Sequence, residues 1–153
     1  MRVWFVLALF MALVAFAAYG GEARFRLRSH QWKHRVLLVF APASYNAAYL
    51  RQRLQFDKAP QGFRDRELLY VPVVDGETLQ VRTQNLDAES QKALREEFSI
   101  PSDSFAVLLI GKDGGVKLRR AEPVTADELF RLIDSMPMRQ QEMRRPATER
   151  HVN

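Results

Sequence analysis

No cysteine occurs anywhere in the 153 residues. That absence excludes a thiolate nucleophile, a CxxC redox pair, a sulfur-built zinc site, a structural disulfide and a cysteine-linked lipid anchor together. Glycine and proline, at 7 each, are too few for a collagen-like or low-complexity chain, and no internal repeat occurs. A single domain of this size buries a self-sufficient core without staples. The motifs G-x-S-x-G, S-x-x-K and H-E-x-x-H are missing, so the common serine and zinc hydrolase arrangements have no anchor here. Glu96 and Glu97 are neighbours on the wet end of a helix rather than a facing carboxylate dyad. Gly111-Lys112-Asp113-Gly114-Gly115 lacks the Lys-Ser/Thr ending of a phosphate loop and reads as a turn between strands.

What is present begins with charge. Lysine and arginine number 23 against 18 acids, a net +5, densest at Arg24, Arg26, Arg28, Lys33 and Arg35. Only Trp32 lies among them, so no aromatic platform interleaves the cations and a nucleic-acid partner is not expected. Arg2 followed by an apolar run over residues 3–18 reads as a secretory signal over residues 1–20, with small residues permitting cleavage after Ala17 or Gly20. The run is shorter than the roughly 20 residues that span a bilayer comfortably. Membrane contact is therefore expected only through the leader, if it stays uncleaved. Export places the chain in a periplasm or outside the cell. Residues 21–145 form the expected domain and 146–153 a disordered tail.

Along that domain, residues 35–41 are a continuous apolar run ended by Pro42, the pattern of a strand buried on both faces. Tyr45, Ala48, Tyr49, Gln52 and Phe56 follow at helical spacing, with Ser44 placed to cap. A return loop from Lys58 to Glu67 leads to a second strand over 68–74, whose Pro72 predicts an open sheet edge. Thr78 to Thr83 alternates weakly as a short extra edge strand. Asp87 caps a helix with Ser90, Ala93, Leu94, Glu97 and Phe98 on its inner face and Lys92 and Arg95 outward, closed by Pro101. Residues 105–111 and 116–119 form an antiparallel pair. Thr125 opens a last core helix with capping-box spacing to Glu128, and Pro137 separates it from a short helix over 138–145.

The order β-α-β-α-β-β-α predicts an α/β fold with a mixed central sheet and helices on both faces, the order of the thioredoxin core. Four segments narrow it: WKHRVLLVFAP at 32–42, RDREL at 64–68, LIGKDGGVKL at 109–118 and LIDSMPMRQQEM at 132–143. Together they resemble the domain-of-unknown-function family numbered 4174, over roughly residues 27 to 143. That family is similar in fold to thioredoxins and peroxiredoxins, and to domains of animal extracellular proteins, including sushi-repeat-containing proteins and a matrix protein linked to cell adhesion. The resemblance implies an exported thioredoxin-like module with no established reaction. Where a redox relative carries its cysteine, this chain has Phe40-Ala41-Pro42-Ala43-Ser44-Tyr45-Asn46. The proline expected before the third core strand is also missing, Ser104-Phe105-Ala106 standing there.

The leading expectation is a non-catalytic binding module without a cofactor. Ser44 and Asn46 stand where exposed helix N–H groups hold a small anion, or where one of them merely caps. The alternative is a cysteine-independent enzyme reusing that cleft, Ser44 and Asn46 being assisted by Arg64 or Asp65. The methionine-rich segment offers a partner surface of Met138, Arg139, Gln140 and Glu142, or else Met136, Met138 and Met143 pack on the core. His30 and His34 have metal-ligand spacing on a helix, but they precede a strand and no carboxylate cluster adjoins them, so no metal is expected. The partner is an unknown protein or a small anionic ligand.

Overall fold

The computed structural model describes residues 23–144. The expected leader, its cleavage points after Ala17 or Gly20, and the tail over 146–153 lie outside the described residues. The strands are β1 (Ala23–Arg24), β2 (Arg35–Ala41), β3 (Leu68–Val74), β4 (Leu79–Val81), β5 (Gln84–Leu86), β6 (Ala106–Ile110) and β7 (Val116–Arg120). The helices are α1 (Ala47–Asp57), α2 (Pro60–Asp65), α3 (Ala88–Phe98), α4 (Ala126–Asp134) and α5 (Pro137–Arg144), with a 3-10 helix at Leu27–His30. No helix of the described residues is long and apolar enough to cross a membrane.

β2 is central because every one of its residues is buried, and a strand covered on both faces must also be flanked on both sides. It pairs parallel with β3 and antiparallel with β6, giving the order β3-β2-β6-β7. The period-2 alternation of side chains then splits the core in two. Val36, Leu38 and Phe40 face α3 and a small sheet of order β1-β5-β4, packing with Phe25, Leu86 and Leu94. Leu37, Val39 and Ala41 face α1, α2 and α4, packing with Tyr49, Phe63 and Ile133. The mixed sheet with helices on both faces is therefore as expected. Pro72 lies in the outermost strand β3, as its missing N–H requires.

Several local expectations change. The return loop contains α2, started by Pro60 at its first turn and held by buried Phe63. Gly62 in that helix lies under Phe130, and a Cβ there would sit 2.3 Å from the ring, so only glycine permits this approach. Helix α1 is capped by Asn46, not Ser44, and Tyr45 points outward at 84% exposure rather than joining the core. The weak alternation after Thr78 is a complete hairpin, β4 and β5, turning through Arg82 at φ 58. Arg95 of α3 is buried, whereas Ala93 and Glu97 face solvent. The helix stops at Ser99, which takes a left-handed φ of 51 two residues before Pro101.

Gln52 is the one fully buried polar side chain of α1. Its Nε2 donates to the Val124 carbonyl and its Oε1 accepts from the Val124 N–H, both at 2.8 Å, so it continues the backbone pairing with a side-chain amide. Gln52→Leu fills the same space but leaves two buried backbone groups unpaired. An unfolding free energy lower by about 2 kcal/mol in urea is the expected result, and an unchanged midpoint would contradict this role.

Candidate functional site

Two ends of the β2–β3 pair compete as the site. At the carboxyl end, the chain leaves β2 through Pro42 and enters α1, the position where the thioredoxin core places its nucleophile. The Asn46 side-chain oxygen accepts from Ala48 N at 3.0 Å and Tyr49 N at 3.1 Å, while the Leu50 N–H already bonds the Asn46 carbonyl. Of the first-turn donors that hold an anion at a helix start, most are thus already satisfied within the chain. Arg64 and Asp65 are not nearby. They precede β3, whose Leu68 registers with Arg35 at the opposite end of the seven-residue β2, and are therefore about 20 Å from the cleft. Arg64 bonds Gln61 within α2, and Asp65 accepts from the same side chain. The structure does not bring the four residues of the enzyme alternative together.

The amino end of β2 holds the densest chemistry in the fold. Arg35 opens the strand at 1% exposure. Its guanidinium grips the Glu142 carboxylate with two bonds of 3.1 and 3.0 Å and donates to the Arg66 carbonyl at 2.9 Å. Lys112, just after β6, reaches Glu142 at 2.7 Å and also bonds Glu67. Beside them Asp134, at the end of α4, takes Arg66 at 2.5 Å and Arg139 at 3.1 Å. Arg139 further donates to the Asp65 carbonyl at 2.7 Å, and Gln140 donates to the Asp134 carbonyl. Burial pushes the Glu142 carboxyl upward, but the hydrogen bonds from Arg35 and Lys112 outweigh it and hold the group below the ordinary glutamate range. Asp134 behaves alike, burial raising it and the bonds from Arg66 and Arg139 lowering it further.

The methionine-rich segment is thus reassigned in its polar part. Arg139, Gln140 and Glu142, expected to orient a partner, spend their polar groups inside the fold, Arg139 and Gln140 on the end of α4 and on α2 and Glu142 on the sheet, while Met138 and Met143 stay exposed and Met136 packs on the core. Sequence reasoning named Arg35 only within a basic run and Lys112 only within a turn, and did not single out Glu67 or Asp134. One signal did exist: each of the four segments that carry the family resemblance delivers at least one charged residue to this network.

A third group stands at the seam between the two sheets. His30 and His34 were expected off any helix, yet His30 closes the 3-10 helix and His34 N donates to the His30 carbonyl at 2.9 Å, so the two rings share a face at 5.6 Å. Their Nε2 atoms are engaged by Gln84 and Arg82. Among the described residues, no group of three or more histidines, aspartates or glutamates could hold a metal ion.

Residues 26–142, a stretch that closes on Glu142, match the family model described as "Domain of unknown function (DUF4174)". The chain belongs to the DUF4174 family. The sushi repeat-containing protein SRPX2 of Rattus norvegicus is 32% identical over 123 residues, covering 78% of this chain and 26% of that protein. The sushi repeat-containing protein SRPX of the same organism is 33% identical over 114 residues, 72% of this chain and 25% of the relative. Coiled-coil domain-containing protein 80 of Danio rerio is 29% identical over 133 residues, 76% of this chain and 15% of the relative. The DUF4174 domain thus spans about a quarter or less of the length of these relatives. Among solved structures, the reduced 2-Cys peroxiredoxin of Plasmodium vivax superposes with a TM-score of 0.56 at 18% identity, covering 76% of this chain and 84% of that one. Thioredoxin peroxidase I of Plasmodium yoelii gives 0.56 at 20% identity, with 80% and 84% covered. The fold of this DUF4174 domain is thioredoxin-like, without a cysteine to work it.

Proposed function

We propose that this DUF4174 domain is an exported, non-catalytic binding module. The observation that carries the reading is the Asn46 cap: the helix start that serves redox relatives as a reaction centre is here occupied by a side chain of the chain itself. What this helix and the turn before it offer outward is contact surface, with Leu50 and Leu54 of the helix and Tyr45 of the turn all exposed. The leader over residues 1–20 and the relationship to sushi repeat-containing proteins support export.

Turnover assays against peroxide, disulfide, ester and phosphate substrates are expected to show no rate above buffer, with no difference on Ser44→Ala. Cross-linking of the chain in its own envelope is expected to give a discrete adduct, lost in the Leu50→Glu, Leu54→Glu double variant while the melting temperature is kept. Turnover that Ser44→Ala abolishes would replace this reading with the cysteine-independent enzyme. An intact Met1 in the mass of the exported protein would remove the cleaved leader.

A further inference from the structure

The small sheet is built from strands of only two or three residues, Ala23–Arg24, Leu79–Val81 and Gln84–Leu86. Strands this short hold by what they pack on, and they are the elements that open first. What they pack on includes the two histidines. His30 is 7% exposed and stacks on Phe25 at 5.3 Å. Its Nε2 lies 3.2 Å from Gln84 Oε1, an oxygen that can only accept, and Gln84 Nε2 in turn donates to Ser29 Oγ. The proton of His30 is therefore on Nε2.

His34 has the opposite arrangement. Its Nε2 faces Arg82 Nη1 at 3.0 Å, and a guanidinium only donates, so this nitrogen must present its lone pair. The proton is then on Nδ1, which is buried with no hydrogen-bond partner. A second proton cannot be added at Nε2 without setting two cations head to head. Arg82 stands in the β4–β5 turn at an exposed position, so when its guanidinium leaves His34 the tie between that turn and the main sheet goes with it. The other charges facing the pair are mostly positive: Lys33 toward His30, and Lys112 toward His34. Glu67 faces His34 with the opposite sign but is held by Lys112. Arg28, Glu97 and Asp113 line the 340 Å³ cavity beside the rings, and Asp113 is bound to Lys117.

We propose that His30 and His34 form an acid-released clasp: protonation of the pair drives Arg82 from Nε2 of His34 and parts the β1-β5-β4 sheet from the main sheet, uncovering Phe25, Val81 and Leu86. The sign follows from the surroundings. Burial first, then Arg82, hold both imidazoles below the ordinary histidine value, although the Gln84 bond raises His30 in part. The parted form binds protons more readily, so the clasp is whole above about pH 6.5 and is lost as pH falls through the depressed values. The Glu142 and Asp134 carboxyls are held below the ordinary carboxylate range and do not share this window.

Hydrogen exchange of the full chain at pH 7.5 and 5.0, expressed as protection factors, tests the clasp. The Phe25, Val81 and Leu86 amides are expected to lose about tenfold or more protection at pH 5.0, with Leu37 and Leu108 unchanged. Arg82→Gln sits at an exposed turn position and keeps the fold. It is expected to cut that loss to less than about threefold and to raise the His34 titration midpoint seen by NMR. The His30→Gln, His34→Gln double variant is expected to keep equal protection at both values. Equal protection of the wild type at both pH values overturns the clasp, and so does an undiminished acid loss in Arg82→Gln.

Discussion

Glu142→Ala is expected to lower the unfolding free energy by about 3–5 kcal/mol and the melting temperature by more than about 10 °C. The side chain lies on α5, where alanine is the best helix former, so local propensity works against any loss. The cost arises across the contact. Arg35 is almost fully buried, and among the described residues Glu142 supplies the only carboxylate its guanidinium touches. Without it a charge stays in the interior with, among the described residues, the Arg66 carbonyl alone to answer it. Lys112 is less harmed because Glu67 remains.

Protonation should imitate the substitution. Because the Glu142 carboxyl is held below its unfolded value, its contribution is complete above about pH 4.3 and disappears as pH falls through the folded value. The gap between wild type and variant therefore narrows in acid. Adding Arg35→Met to Glu142→Ala should recover part of the loss, since removing both charges leaves neither unpaired. Urea unfolding of the single and double variants measures all of this. A loss below about 1 kcal/mol for Glu142→Ala would mean that the network is surface decoration.

The second large effect is expected at Arg95→Met. The Arg95 guanidinium joins three segments that meet only in the fold: Asp75 at 3.0 Å, the Pro101 carbonyl at 3.0 Å and the Ala41 carbonyl at 2.8 Å. It also lies 5.5 Å over the Phe40 ring. Methionine keeps the apolar stem and removes the donors. Asp75 is near enough to water to be solvated again, but the two carbonyls lose a charged donor, at a cost of about 2–4 kcal/mol. Asp75→Asn serves as the control, with a change of about 1 kcal/mol or less. Similar losses in the two variants would show that the ion pair, rather than the carbonyl bonds, carries the effect.

These two arginines also mark where the sequence stops being readable. The strands and their order are legible because residues 35–41, 68–74 and 106–110 are apolar runs that a central sheet demands. The Asp87 and Thr125 caps are legible because a cap is a contact within three residues, and both accept the bond expected of them. Arg35 and Arg95 are different. A charge is buried only when its partner arrives, and the partner is 107 residues away for Arg35 and 20 for Arg95. Helix α2 fails for another reason, since six residues are too few to display a helical period. Ser44 and Asn46 are both good caps, and the choice fell to the turn that bonds Asn46 N to the Ala43 carbonyl. For the candidate site the residue types were visible, but their allegiance was not: Arg139, Gln140 and Glu142 are as polar as a docking surface would be, and they face inward.

Pro72 has a consequence for behaviour in crowded surroundings. It sits in the outermost strand β3, and the border at the other side of the sheet, β7, carries Lys117, Arg119 and Arg120. A second molecule adding itself to the first border meets a gap in the row of donors. At the other it meets a line of positive charge. Neither rim gives a growing fibril a continuous template.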